Sequence, residues 1–287
     1  MTVPSAPNPL PALYSLLETQ RAFDSIAADY DGPRHNNALL QRMRTTFWRV
    51  IDANCSQHAR LLDLGCGTGI DAVHLARSGR AVVATDWSPQ LIARTQARAA
   101  RYAQTSRVEA RHLGVQELHH LSDSFDAAYS NFGPLNCAPD LGQVARECAR
   151  LVRPGGVLIF SVMGRICPWE VLYYRWKRRP ERARIRQAVG PVAVTLNGQT
   201  VWTRYYRPRE FYAPFAASFA LSGYQALSLF VPPPYLIAWY ERFPRMTAAL
   251  GWLDDAVGSW PGLRNAGDHF LMLMTRRPEP AKVPNEP

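Results

Sequence analysis

The chain has 287 residues, a formal net charge of +10 and 47% hydrophobic residues. That length can bury a large core. No run of 18 apolar residues suggests a membrane-spanning helix, and the start, "MTVPSAPNPLPALY", lacks the charged and apolar regions of a secretory signal. The five cysteines, Cys55, Cys66, Cys137, Cys148 and Cys167, include no CxxC pair. An odd, scattered set argues against a disulfide framework or a zinc knuckle and suits a cytoplasmic protein with no structural metal.

In chain order, residues 1–20 are rich in proline and read as a flexible lead-in. "LETQRAFDSIAADYDG" predicts a helix with Phe23, Ile26 and Ala27 on one face. "NALLQRMRTTFWRVI" predicts a second, with Leu39, Leu40, Met43, Phe47 and Val50 at helical spacing. The period then changes. "ARLLDLG" reads as a strand and "GIDAVHLARSG" as a helix closed by Gly79. "AVVATD" follows as a strand, then a helix with Ser88 as N-cap and Pro89 at its first position. "RVEARHL" and "FDAAYS" are strands, "DLGQVARECARLV" is a helix, "RPGG" a turn and "VLIFSVM" a strand. Such alternation predicts an α/β fold: a doubly wound, mostly parallel sheet with helices on both faces. Farther on, "QTVWTRYY" reads as a strand, Pro208 as a helix start, and "ALSLF" and "HFLMLMTRR" as closing strands.

Three glycines, Gly65, Gly67 and Gly69, fall within five residues at the end of the first strand of this sheet. A glycine-rich turn between strand and helix lets a ligand lie against bare main chain and offers it free N–H groups. The spacing is GxGxG, not the GxGxxG of dinucleotide sites. "LLDLGCGTGI" resembles motif I of the class I S-adenosylmethionine-dependent methyltransferases. "VVATDWSPQLI", "FDAAYSNFGPLN" and "ARLVRPGGVLIFS" are similar to that family's later motifs, and "FDSIAADYDG" resembles the helix that folds over its cofactor. The resemblance covers residues 21–164 and the final strands. It implies a Rossmann-like sheet of seven strands with a cap inserted after the fifth.

The resemblance also implies site residues. Asp86 would take both ribose hydroxyls, as a carboxylate can accept two hydrogen bonds from a vicinal diol. Trp87 would offer an aromatic face to adenine, and Gly114 and Val115 backbone contacts. Asp63, Gly65, Cys66, Gly67 and Gly69 would surround the methionine part, and Asn131 and Phe132 the sulfonium. The cofactor expected is S-adenosyl-L-methionine. Methyl transfer is an in-line displacement at an activated carbon, so alignment and dry surroundings matter most. Tyr30 is the first candidate for a catalytic residue, against a plain core aromatic; His35 is a candidate base, against a solvated loop histidine.

Residues 165–210 carry eleven Lys/Arg against three acids. Pro168 should start a helix whose Trp169, Leu172, Tyr173 and Trp176 form a stripe, and Pro180 should break it. Four readings remain open for this basic cap: a solvated face over a core-packed stripe, peripheral contact with an anionic membrane, an acidic substrate, or nucleic acid, for which no RNA-binding module is seen. The boundaries expected are a lead-in over 1–20, a cofactor-binding core over 21–164, a cap over 165–215, closing strands over 216–277 and a tail over 278–287. The function expected is methyl transfer to a small-molecule acceptor of lipid or quinone type. The alternatives are a tRNA or protein methyltransferase docking through the cap, and a cofactor-binding regulator without turnover.

Overall fold

The computed structural model describes residues 9–33 and 36–278, with side chains from residue 15. Its centre is a seven-stranded sheet built from β1 (Arg60–Leu64), β2 (Ala81–Asp86), β3 (Val108–His112), β4 (Phe125–Ser130), β5 (Val152–Met163), β8 (Phe219–Leu227) and β9 (His269–Arg276). The strand order is β3-β2-β1-β4-β5-β9-β8. β1 to β5 run parallel, and β9 lies antiparallel between β5 and β8. The order reverses between β1 and β4, the place where open α/β sheets hold ligands beyond their strand ends.

The sheet is buried on both faces because its strands are apolar at successive positions. Leu61, Val82, Ile159 and Leu271 enter one core, with Met43, Phe47 and Ile51 of α2 (Ala38–Asn54) and Ala72 and Leu75 of α3 (Ile70–Arg77). Leu62, Val83, Leu158, Phe160 and Met272 enter the other, with Leu141, Val144, Cys148 and Leu151 of α5 (Leu141–Leu151). The helix starts are capped where polar residues precede them. Asn37 Oδ1 accepts from Leu39 N and Leu40 N at 3.1 and 3.2 Å. Ser88 Oγ accepts from Leu91 N at the head of α4 (Pro89–Arg101), and Asp140 caps α5.

Several elements differ from the expectation. A single helix, α1 (Pro9–Ile26), occupies most of the expected lead-in. "RPGG" is no separate turn. It is an irregularity inside β5, where Val152 pairs with Phe125 but Val157 with Ala127. Gly155 has φ +77°, and a Cβ on Gly156 would sit 2.5 Å from the Asp126 carbonyl oxygen. The last strands also shift: β8 ends at Leu227, so "ALSLF" is mostly loop.

The cap contains α6 (Pro168–Trp176), α7 (Pro180–Ala183), a hairpin of β6 (Val192–Leu196) and β7 (Gln199–Thr203), and α8 (Pro208–Tyr212). Asn197 and Gly198, both with positive φ, turn the hairpin. The hairpin rests on α1: Trp202 N donates to Thr19 Oγ1 at 3.3 Å and Trp202 Nε1 to Glu18 Oε2 at 2.7 Å. Between β8 and β9 the chain adds α9 (Ile237–Arg242) and α10 (Pro244–Val257), tied to α2 through Arg42 and Asp255 at 2.9 Å. Residues 216–277 thus hold more than closing strands. Among the described residues, no helix is long and apolar enough to cross a membrane.

Candidate active site

The turn after β1 is fixed by its own hydrogen bonds. Gly65 N and Cys66 N both donate to the Thr85 carbonyl at 2.9 Å, and Thr95 Oγ1 donates to the Gly67 carbonyl at 2.9 Å. Gly65, Gly67 and Gly69 all have positive φ, which glycine adopts without steric cost. At two of them the missing Cβ makes room for the protein itself. A Cβ on Gly65 would lie 2.3 Å from Pro134 Cβ, and one on Gly69 2.8 Å from Thr95 Cγ2. The expectation that ligand approach explains all three glycines is therefore corrected.

Asp86 closes β2. Its carboxylate accepts from Gly67 N and Ser88 N, both at 2.9 Å, and burial pushes its pKa up to about 6 although both hydrogen bonds favour the charged form. Asp86 borders a pocket of about 160 Å³. Of the residues expected in the site, Tyr30, Gly65, Gly67, Asp86, Trp87, Val115 and Phe132 line this pocket. Burial, reinforced by Asp86, pushes the Tyr30 hydroxyl up to about 12. At neutral pH it is a protonated phenol that can donate but carries no anion.

The other expected residues stand outside the lining. Asp63 is buried in β1, with Oδ2 lacking a hydrogen-bond partner. Burial, then the nearby Asp71, raise its pKa well above the carboxylate range. The Cys66 thiol faces Thr95 Oγ1 at 3.5 Å. Gly69 meets α4, and Gly114 N donates to Glu117 Oε2 at 3.0 Å at the head of a short turn. Asn131 donates to Asp71 Oδ2 at 3.2 Å instead of facing the pocket. Asp71 also pairs with Arg44 at 2.6 Å and accepts from Trp48 Nε1 at 2.7 Å. His35 lies outside the described residues.

Sequence reasoning missed the roof. Thr19, Gln20 and Phe23 of α1 line the pocket, as do Val201 and Thr203 of β7. The Phe23 position was legible, but as a core face. Cys137 and Met163 complete the wall near Phe132, and burial pushes the Cys137 thiol up to about 11. A second polar group joins the cap to β9. Cys167, Glu170 and Asp268 bring ligand-type atoms within 4.8 Å of one another. A cation already occupies their centre: Arg186 Nη2 lies 2.8 Å from Glu170 Oε2 and 2.6 Å from Asp268 Oδ1.

A methyltransferase-domain family model matches residues 61–156. Over 165 residues the chain is 33% identical to the ubiquinone biosynthesis O-methyltransferase of Xanthomonas campestris, a match covering 55% of this chain and 67% of that one. An uncharacterized protein of Mycobacterium bovis is 35% identical over 109 residues, but the match spans only 38% of this chain and 39% of that protein. Among solved structures, the 1,6-didemethyltoxoflavin-N1-methyltransferase of Burkholderia thailandensis, bound to 1,6-didemethyltoxoflavin and S-adenosylhomocysteine, shares the fold. Its TM-score is 0.56 at 20% identity, over 96% of this chain and 93% of that one. The chain belongs to the S-adenosylmethionine-dependent methyltransferases with a Rossmann-like fold.

Proposed function

We propose that the protein transfers a methyl group from S-adenosylmethionine to a hydroxyl of a small, quinol-like acceptor. The observation that carries the cofactor assignment is the half-buried Asp86 carboxylate, on a residue that borders the pocket beside Gly65 and Gly67. The residues present fit the group. Asp86 has lone pairs left for a ribose diol after its two backbone bonds. The Trp87 indole lines the pocket with an unpartnered buried Nε1. The cofactor supplies an electrophilic methyl on a sulfonium sulfur.

The chain's own contribution is alignment and exclusion of water. Thr19, Gln20 and Phe23 of α1 line the pocket, with Val201 and Thr203 of β7, and the Tyr30 phenol lines it as well. The relative named for ubiquinone biosynthesis and the largely apolar lining support a quinol-type acceptor. All five cysteines are free thiols, in keeping with a reducing cytoplasm. Incubation with methyl-labelled cofactor and fractionated bacterial extract, followed by mass spectrometry, should label a phenolic or quinol metabolite. Label in RNA or protein alone would replace this reading with the macromolecular one. Cofactor binding without label in any fraction would favour a regulator.

The cap also favours docking to an anionic bilayer. The stripe on α6 is only half used inside the protein: Trp169 Nε1 donates to the Phe230 carbonyl and Tyr173 meets Tyr235, but Leu172 and Trp176 remain 65% and 73% exposed. Arg175, Lys177, Arg178 and Arg179 flank them, all exposed. Each such cation near an anionic surface is worth about 1 kcal/mol, and the aromatics suit the headgroup level. In flotation, the protein should rise with phosphatidylglycerol vesicles and not with phosphatidylcholine ones, and Trp176→Ala with Leu172→Ala should abolish it. Equal flotation with both lipids, or none, would remove the membrane from the account.

A further inference from the structure

His269 opens β9, at the same end of the sheet as the carboxyl ends of β1 to β5. It is 6% exposed and was not among the candidates visible in sequence. Its Nδ1 lies 2.9 Å from Asp268 Oδ2. Asp268 cannot serve as the proton donor. Although burial works against its charge, Arg186 and then His269 hold its carboxyl well below the usual range. The hydrogen on that bond therefore belongs to Nδ1, so that in the neutral imidazole the lone pair is on Nε2. Nε2 is buried and has no hydrogen-bond partner. An unsatisfied buried acceptor of this kind calls for an explanation.

Its surroundings supply one. The Phe132 ring meets the imidazole edge-on, with centroids 6.0 Å apart, and Phe132 also lines the cofactor pocket. Met163, which lines the pocket too, is the cross-strand partner of His269 and shares its face of the sheet. His269 thus stands one side chain from the pocket, on the β4–β5 side, where the cap begins.

We propose that His269, oriented by Asp268, accepts the proton of the acceptor hydroxyl during methyl transfer; this rests on the hydroxyl-acceptor reading given above. The O–H bond breaks and its proton passes to Nε2; the oxygen's electron pair forms the bond to the methyl carbon as the bond from that carbon to sulfur breaks, its pair leaving with the neutral thioether. The positive charge given up by the sulfonium ends on the imidazolium, whose proton then leaves to solvent. Arg186 matters indirectly, by keeping Asp268 ionised and in place, and Glu170 by holding Arg186.

Among the described residues, the charged and titratable groups around Asp268 and His269 are Arg186, Glu170 and Cys167 of the cap and Tyr235 after β8, with Arg44 and Asp71 beyond Phe132. A pH effect assigned to His269 has to disappear when the imidazole alone is removed. Two measurements test the proposal. The first needs no acceptor: long-range proton–nitrogen spectra of the intact protein at pH 8, with the His269 signals assigned by their loss in His269→Gln. A proton on Nδ1 and a bare Nε2 are expected; a proton on Nε2 would overturn the proposal.

The second uses a soluble catechol with a short prenyl tail. Wild-type kcat should fall with pH on an acid limb. His269→Gln should lose about 100- to 10,000-fold in kcat, the range of general acid–base catalysis, lose that limb, and keep its affinity for S-adenosylhomocysteine. Added imidazole should partly restore His269→Ala. Unchanged kcat in His269→Gln, or loss of kcat only in parallel with loss of S-adenosylhomocysteine binding, would overturn the role. Transfer by the wild type to amines or carbon but never to hydroxyls would overturn it as well, with the cofactor assignment intact. Failure of the wild type to bind S-adenosylhomocysteine would instead sink the broader reading.

Discussion

Asp86→Ala will weaken binding of S-adenosylhomocysteine about 100-fold in calorimetry. A hydrogen bond to a charged group is worth about 1.5–3 kcal/mol, and about 1.4 kcal/mol is a factor of ten. Losing two such bonds to a diol reaches 100-fold even after partial compensation by water. The substitution also frees Gly67 N and Ser88 N, which now anchor the glycine turn to the end of β2. Asp86→Asn keeps one acceptor and the side-chain volume, so it should fall between, near tenfold.

The pH dependence follows from burial. The Asp86 pKa is raised to about 6 from an ordinary 3.8. In the free protein, a raised carboxylate contributes stability below its unfolded value and loses it as pH climbs through about 6. Ligand binding favours the charged form, which accepts from both hydroxyls. Affinity should therefore decline as pH drops below about 6, and Asp86→Ala should be flat over the same window. A variant that binds as well as the wild type, or a wild type indifferent to pH between 5 and 7.5, would show that the ribose lies elsewhere.

Much of the sheet was legible because its signals are local. A strand ending in "LLDLG", a polar cap such as Ser88 and the helical spacing in α5 each fall within a dozen residues. Asp86 was legible as the last residue of a local strand signal, its role through the resemblance of the motifs around it. The roof of the pocket was not. The start of α1 is rich in proline, and Pro9 and Pro11 read as a breaker, yet the helix forms and packs on β7 and α4. The β6–β7 hairpin did carry its signal, Asn197-Gly198 between alternating residues, which passed unread. The helices α9 and α10 show weak amphipathy and leave Trp239 and Trp252 partly or largely exposed, so no clear stripe marks them.

The Asp268 network was beyond reach for another reason. Arg186 and Asp268 stand 82 residues apart, and Arg186 bridges Asp268 to Glu170, 16 residues before it. Nothing in a linear reading separates Arg186 from the ten other cations of the cap. Only the fold buries this one and leaves its neighbours in solvent.

That burial sets up the second large effect. Arg186 uses nearly all its donors: Nε to Glu170 at 2.9 Å, Nη1 to the Gly164 and Asp268 carbonyls at 3.1 and 2.9 Å, and Nη2 to both carboxylates. Tyr205 lies under its guanidinium at 5.0 Å. Arg186→Met fits roughly the same space but strands two buried carboxylates. Breaking a buried pair this way costs about 3–5 kcal/mol, which in a domain of this size lowers Tm by about 10 °C.

The sign with pH separates charge from packing. In the wild type, Asp268 is held low, so its contribution is present above the ordinary carboxylate pKa and lost as pH falls through the folded one. In Arg186→Met the same carboxylates are buried without a counter-charge, so their pKa values rise and their ionisation becomes a cost. The deficit against wild type should be largest near pH 8 and shrink toward pH 5. Adding Glu170→Gln and Asp268→Asn to Arg186→Met removes the stranded charges and should recover part of the lost Tm at pH 8. A single variant that melts within about 1 °C of wild type, or a deficit that does not change with pH, would mean the cap is held to β9 by apolar contacts and not by this ion pair.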